Sequence, residues 1–108
     1  MDVPQTLAAD LFTQLKAAVD QAVEKENFAV ATAAAESAGM QGGRKDPSIL
    51  ALGFTYEYSD DTGATVTLVV KSWDTSSPFQ IKPDRNKITI ELVKNGQKVD
   101  TYTNWYED

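Results

Sequence analysis

The hydrophobic period of this chain changes once, near residue 47, and that change limits the fold more than any other feature. Before it, apolar residues recur at the three- and four-residue spacing of one helical face, at Ala8, Leu11, Phe12, Leu15, Ala18, Val19, Ala22 and Val23. From residue 48 onward, apolar and polar residues alternate, as they do in strands with one buried face. A chain of 108 residues has the size of one domain. We therefore predict a single α+β domain over residues 1–108, with an N-terminal helical segment packed on a four-stranded antiparallel β-meander in two layers.

The helical part is predicted over residues 1–38, with Pro4 in the first turn. The alanine-rich residues 27–38 either extend the first helix or form a second one. We favour a break near Asn27, because one helix reaching Ala38 would be roughly 50 Å long in a compact domain. Glycines then predict a linker over residues 39–47, and the meander occupies residues 48–108.

The second hairpin is marked by Asn95-Gly96, the strongest short signal for a two-residue turn. Counting outward from Lys94 opposite Gln97 pairs Leu92 with Val99, Ile90 with Thr101 and Ile88 with Thr103, and places Trp105 on the same core face. The same register sets Glu91 opposite Asp100, which we interpret as a solvated pair of like charges rather than a metal site.

The first hairpin is predicted to turn through Asp61-Thr62-Gly63, which pairs Tyr58 with Val66, Tyr56 with Leu68 and Phe54 with Val70. The predicted strands are thus 48–59, 64–74, 87–94 and 97–106, with a wide connection over 75–86. Asp61-Thr62-Gly63 resembles the Asp-Thr-Gly motif of aspartic proteases. Here Tyr58-Ser59-Asp60 precedes it instead of an apolar strand, so a turn is the favoured interpretation.

Composition removes several classes of function. The chain has no histidine, and cysteine is also absent, so the usual neutral-pH acid-base group and the common zinc ligands are missing. A net charge of −6 argues against direct nucleic-acid binding. We expect no cofactor, no metal site, no membrane association and a cytoplasmic setting. An enzyme that used carboxylates alone would have Glu57 or Asp61 as its candidate catalytic residues. We expect instead that the protein is not an enzyme.

The outer face of the first hairpin is partly apolar and gives the leading functional hypothesis. Ile49, Ala51, Val69 and Trp73 fall on it, with Trp73 opposite Ala51, and they form a candidate partner-binding patch. The competing interpretation is that Trp73 shields Gly53 or lies beneath the second helix. As a patch, these residues predict a non-catalytic interaction or assembly protein: a structural subunit such as a virion or secretion component, or a small inhibitor or immunity-type protein. Its partner would be another protein or a second copy.

The alternative function is a small-ligand pocket between helix and sheet, lined by Tyr56, Tyr58 and Trp105. The order of one helical part followed by four strands resembles the helix-and-sheet grip of cystatin-like folds. That resemblance concerns layout, and it implies no inhibitory residues here because none of that family's motifs is present.

Overall fold

The fold is two helices packed on one face of an antiparallel sheet, so the predicted α+β class is confirmed. A computed structural model describes residues 6–42, 51–73 and 85–107, with the backbone alone at 51–53, 72–73 and 85. Its five strands follow one another in the sheet in chain order, where four had been predicted. The elements are α1 (Ala8–Glu24), α2 (Ala29–Ser37), β1 (Gln41–Gly42), β2 (Ala51–Ser59), β3 (Ala64–Trp73), β4 (Arg85–Lys94) and β5 (Gln97–Glu107).

The helical part breaks where the sequence predicted. After α1, Glu26 adopts a φ of 51° and the Asn27 N–H bonds to the Ala22 carbonyl at 2.9 Å. The Asn27 side chain then accepts the N–H of Ala29 at 3.0 Å, which starts α2. Most of the predicted stripe on α1 is buried, while Ala18 and Val23 are only partly covered. Pro4 lies outside the described residues.

The additional strand, β1, comes from the start of the predicted linker. Gln41 and Gly42 pair with Glu57 and Tyr56 on the open edge of β2. Gly42 has a φ of 136°, and a Cβ there would lie 2.1 Å from the Thr55 carbonyl oxygen. Only glycine allows so close an approach, so a residue expected to loosen the chain instead fits it against the sheet.

The first hairpin has the predicted register. Tyr58 stands opposite Val66, Tyr56 opposite Leu68 and Phe54 opposite Val70, and the ladder continues to Ala51 opposite Trp73. The Asp60 N–H closes the three-residue loop on the Ala64 carbonyl at 3.0 Å, and Gly63 takes a φ of 86°. Hydrophobic matching between the two strands therefore predicted this pairing correctly.

The predicted register of the second hairpin is wrong beyond its first two pairs. Lys94 faces Gln97 and Val93 faces Lys98, but a bulge then makes Val99 an extra residue and sets Leu92 opposite Asp100. Ile90 consequently faces Tyr102, and Ile88 faces Asn104. Because one residue of slip exchanges the two faces of a strand, Val99 and Trp105 are exposed at 59% and 48%. The predicted core positions on β4, Ile88, Ile90 and Leu92, are buried as expected.

The bulge turns Tyr102 and Tyr106 of β5 toward the helices. With Tyr56 and Tyr58 of β2, all four tyrosines of the chain bond to the helical part. The Tyr58 hydroxyl donates to the Thr6 carbonyl at 2.6 Å, ahead of α1. The Tyr102 hydroxyl donates to Asp20 of α1. At α2, the Phe28 N–H donates to the Tyr106 hydroxyl at 2.9 Å, and the Tyr56 hydroxyl donates to Glu36 at 2.9 Å. These bonds tie the rim of the apolar core to both helices.

Candidate functional site: the outer face of the sheet

The helices cover the inner face of the sheet, and within the described residues neither helix lies on the outer face. That outer face is rich in threonine, with Thr55, Thr65, Thr67, Thr89, Thr101 and Thr103 on it. Two hydroxyl pairs link neighbouring strands, Ser59 with Thr65 at 2.8 Å and Thr89 with Thr103 at 3.1 Å. Cross-strand bonds of this kind stabilise the pairing of neighbouring strands and order these side chains on the surface.

A groove of about 210 Å³ runs along this face between β3 and β4. It is lined by Val69, Lys71, Lys87, Thr89 and Glu91. Val69 and Thr89 stand opposite each other in the register and form its middle. The groove therefore has a valine and a threonine at its middle and charged residues at both ends.

One end of the groove carries two like charges. Lys71 and Lys87 occupy directly opposite positions on β3 and β4, and both are exposed. Like charges placed directly opposite each other in a sheet destabilise it. In the described part of the chain, neither lysine makes an ion pair with an acidic side chain.

The other end of the groove is electrically balanced. Glu91 stands opposite Thr101, and its carboxylate pairs with the ammonium of Lys98 at 3.2 Å. The predicted Glu91–Asp100 pair is thus wrong, because the bulge moves Asp100 opposite Leu92. The positive charge on this face is concentrated at the lysine end.

Trp105 extends the site onto β5. It stands opposite Lys87, so Lys71, Lys87 and Trp105 form one row across three strands. The sequence analysis placed Trp105 on the core face, and the structure places it on the outer face, because pairs were counted from the turn without a bulge. The positions that alternate with Trp105 include Tyr102 and Tyr106, two large side chains suited to the core rim, but this pattern alone does not decide between the two faces.

The predicted partner-binding patch is located only in part. Val69 is half-buried on the outer face and lines the groove. Ala51 and Trp73 are opposite in the register, but the structure describes their backbone alone. Ile49 lies outside the described residues, as do residues 75–84 of the predicted wide connection. The last two residues of that connection, Arg85 and Asn86, are the start of β4 rather than loop.

The residues predicted to line a ligand pocket are not brought together. Tyr56 is buried under α2, Tyr58 lies beside the start of α1, and Trp105 is on the opposite face of the sheet. Burial and the neighbouring Glu36 carboxylate raise the pKa of the Tyr56 hydroxyl, so it remains a neutral donor. Among the described residues, buried side chains of the helices and of the sheet pack against one another between the two layers.

A second groove, of about 300 Å³, opens at the end of the sheet where α1 begins. Its lining includes the exposed side chains of Leu7 and Val99, together with Leu92, Lys94 and Asp60. The Asp60 carboxylate is committed to the fold: it accepts the N–H groups of Ala8, Thr62 and Ala64 and the hydroxyl of Thr62. The bond from the Thr62 hydroxyl and these N–H groups lower the pKa of Asp60 to about 2.

The Asp-Thr-Gly sequence therefore serves the turn, with Asp60 organising the loop. Within residues 6–42, 51–73 and 85–107, no three acidic side chains gather in an arrangement suited to a metal ion. Neither described helix has the length and apolar character needed to cross a membrane. No protein family matches the chain, and the comparisons with curated proteins and with solved structures gave no match.

Proposed function

We propose that this protein is a non-catalytic interaction or assembly protein that binds a protein partner through the outer face of its sheet. The observation that carries the proposal is the half-exposed Trp105 beside two lysines that have no acidic partner among the described residues, on a face that no described helix covers. Tryptophan is enriched among the residues that dominate binding energy at interfaces. The role suits a subunit of a larger assembly or a small inhibitor or immunity-type protein.

The order of the outer face also supports binding. Its central strands, β3 and β4, are each paired with a neighbouring strand on both sides. Hydroxyl pairs also link β2 to β3 and β4 to β5. A surface that is already ordered loses little conformational entropy when a partner binds. The absence of histidine and cysteine from the sequence is in keeping with binding rather than catalysis.

The inner face supports a ligand pocket less well. The hydroxyls of all four tyrosines are engaged with the helical part, and the apolar side chains between the layers are buried. A ligand there would have to displace core packing in a chain of 108 residues.

The test compares two glutamate variants that differ in the surface they change. Thr103→Glu places a larger, negatively charged side chain on the outer face, and Thr13→Glu places the same side chain on the exposed side of α1. A partner is captured from lysate of the source cells, identified, purified and titrated against each variant. We expect Thr103→Glu to weaken binding at least about tenfold, and Thr13→Glu to bind as the unmodified protein does. Unchanged binding by Thr103→Glu would refute the proposed surface.

A further inference from the structure

We propose that the outer face binds an extended acidic protein segment. One carboxylate of that segment is placed between Lys71 and Lys87, and an aliphatic side chain two residues away, on the same side of the extended segment, lies on Val69. This inference rests on the proposed function and adds the chemistry of the partner.

The pair of lysines on the outer face stands out in a chain whose net charge is negative. The chain carries 16 acidic and 10 basic side chains, yet Lys71 and Lys87 face each other without an acidic partner among the described residues. The neighbouring acids are placed otherwise, since Glu91 pairs with Lys98 and Glu107 stands opposite Arg85. Proteins retain a locally unfavourable arrangement mainly where function requires it.

Lys71 and Lys87 are close enough to bind the same carboxylate. Directly opposite residues of an antiparallel pair have Cβ atoms only about 5 Å apart, so two flexible ammonium groups can reach the two oxygens of one carboxylate. Binding then gains twice, because the carboxylate accepts charge-assisted hydrogen bonds and also removes the repulsion between the lysines.

The groove between β3 and β4 is small and open. Its volume of about 210 Å³ lies below the ~300 Å³ at which pockets for small molecules begin, and the groove is open to solvent along its length. It therefore suits the side chains of a protein segment better than an enclosed small molecule. Val69 gives an aliphatic side chain an apolar contact, and the Trp105 ring lies in the same row as Lys87, where another side chain of the segment can contact it.

The class of partner follows from the whole charge distribution. A nucleic acid or sulfated polysaccharide would meet two favourable lysines on a molecule of net charge −6, and the remaining acids would repel a polyanion. A protein segment carries separate charges instead of a continuous line of them. Its acidic residue can therefore occupy the lysine end while its neighbours remain apolar.

The test uses a synthetic peptide in which one threonine separates each valine from the next glutamate, so that valine and glutamate lie on the same side of an extended chain. A matched peptide has glutamine in place of glutamate. The protein variants are the double substitution Lys71→Gln/Lys87→Gln and the control Lys25→Gln/Lys94→Gln, which removes the same charge elsewhere. Binding is followed by fluorescence anisotropy of labelled peptides, and amide shifts in NMR spectra locate the site.

We expect the glutamate peptide to bind, to shift the amides of Val69, Lys71, Lys87 and Thr89, and to dissociate more readily as salt is added. Lys71→Gln/Lys87→Gln should weaken binding of the glutamate peptide about tenfold or more, and the control variant should not. The glutamine peptide should bind every form of the protein more weakly than the glutamate peptide binds the unmodified protein. The thermal midpoint of Lys71→Gln/Lys87→Gln should stay unchanged or rise, because repulsion is removed.

Several results would overturn the inference: equal binding of both peptides, shifts confined to other surfaces, a lower thermal midpoint in Lys71→Gln/Lys87→Gln, or tighter binding of a DNA oligonucleotide or heparin at the same residues. Failure here is separable from failure of the proposed function. A cellular partner whose binding is lost in Thr103→Glu but kept in Lys71→Gln/Lys87→Gln leaves the interface in place and refutes only the acidic chemistry of the partner.

Discussion

The carboxylate of Asp60 accepts the backbone N–H of Ala8, with 2.8 Å between Oδ2 and N, although 52 residues separate them. The helix α1 has Leu7 at its N-cap position and no side-chain cap from its own sequence. Asp60 supplies that cap from the first hairpin, while its other oxygen accepts three bonds within the turn. One side chain thus joins the start of the helical layer to the sheet.

The first prediction concerns this cap and its dependence on pH. Asp60→Asn should lower stability at neutral pH, because an amide replaces one acceptor oxygen with a donor. The folded-state pKa of Asp60 is lowered from 3.8 to about 2. Its contribution is therefore full above about 3.8 and is lost as pH falls through about 2. Urea unfolding of the unmodified protein and Asp60→Asn should differ at pH 7 and converge at the acid end.

The control for that experiment is Asp10→Asn. Asp10 lies in the first turn of α1, where its carboxylate, like that of Asp60, is near the positive end of the helix dipole. The N–H of Ala8 donates to Asp60 and not to Asp10. A loss of stability in Asp10→Asn as large as in Asp60→Asn would show that charge near the helix, rather than the cap, is responsible.

The second prediction concerns the contact between β5 and α2. Tyr106→Phe removes the acceptor of the Phe28 N–H and should cost about 1–2 kcal/mol of unfolding free energy. Hydrogen exchange at the Phe28 amide should accelerate as well. Trp105→Phe, one residue away on the outer face, is the matched control and should have little effect on either measurement. Equal stability of the two variants would contradict the assigned contact.

The third prediction concerns the bulge. Deleting Val99 leaves Lys98 opposite Val93 and Asp100 opposite Leu92, so it removes the bulge without changing which residues face the helices. The unfolding free energy should change by less than ~1 kcal/mol, because Val99 is exposed.

Deleting Thr103 is the matched comparison. It moves Trp105 to the inward position and Tyr106 to the outward one, so it should cost several kcal/mol. If both deletions destabilised the protein equally, the bulge would not be where the structure places it.

The fourth prediction compares the two tryptophans as interface anchors. The sequence made Trp73 the anchor of the outer face, and the exposed side chain of Trp105 makes it the second candidate. Trp105→Ala should weaken partner binding by ~2 kcal/mol or more and leave the thermal midpoint nearly unchanged.

Trp73→Ala separates the two sequence-based interpretations of that residue. Lost binding with retained stability supports an anchor, whereas lost stability with binding that follows unfolding supports a role in covering Gly53. Normal binding by both tryptophan variants would refute the outer-face hypothesis.

The sequence by itself determined the features that depend on neighbouring residues. The apolar stripe of α1 and the break at Asn27 follow from helical spacing and a local side-chain bond. The first hairpin follows from its turn and from matched apolar faces, and Val69 follows from that register. In each case the deciding interactions lie within a few residues or across one short loop.

Only the tertiary structure decided the features that need contacts between distant segments. The Asn95-Gly96 turn fixes a register only as far as the first irregularity, and one extra residue at Val99 exchanges the faces of all that follows. What distinguishes the two registers is the helical layer: the bulged strand brings Tyr102 to Asp20 and Tyr106 to the Phe28 N–H. The same slip exposes Trp105 beside Lys87 and so completes the candidate site. Alternation along β5 cannot supply this choice, because either face is tolerable until α1 and α2 are packed against one of them.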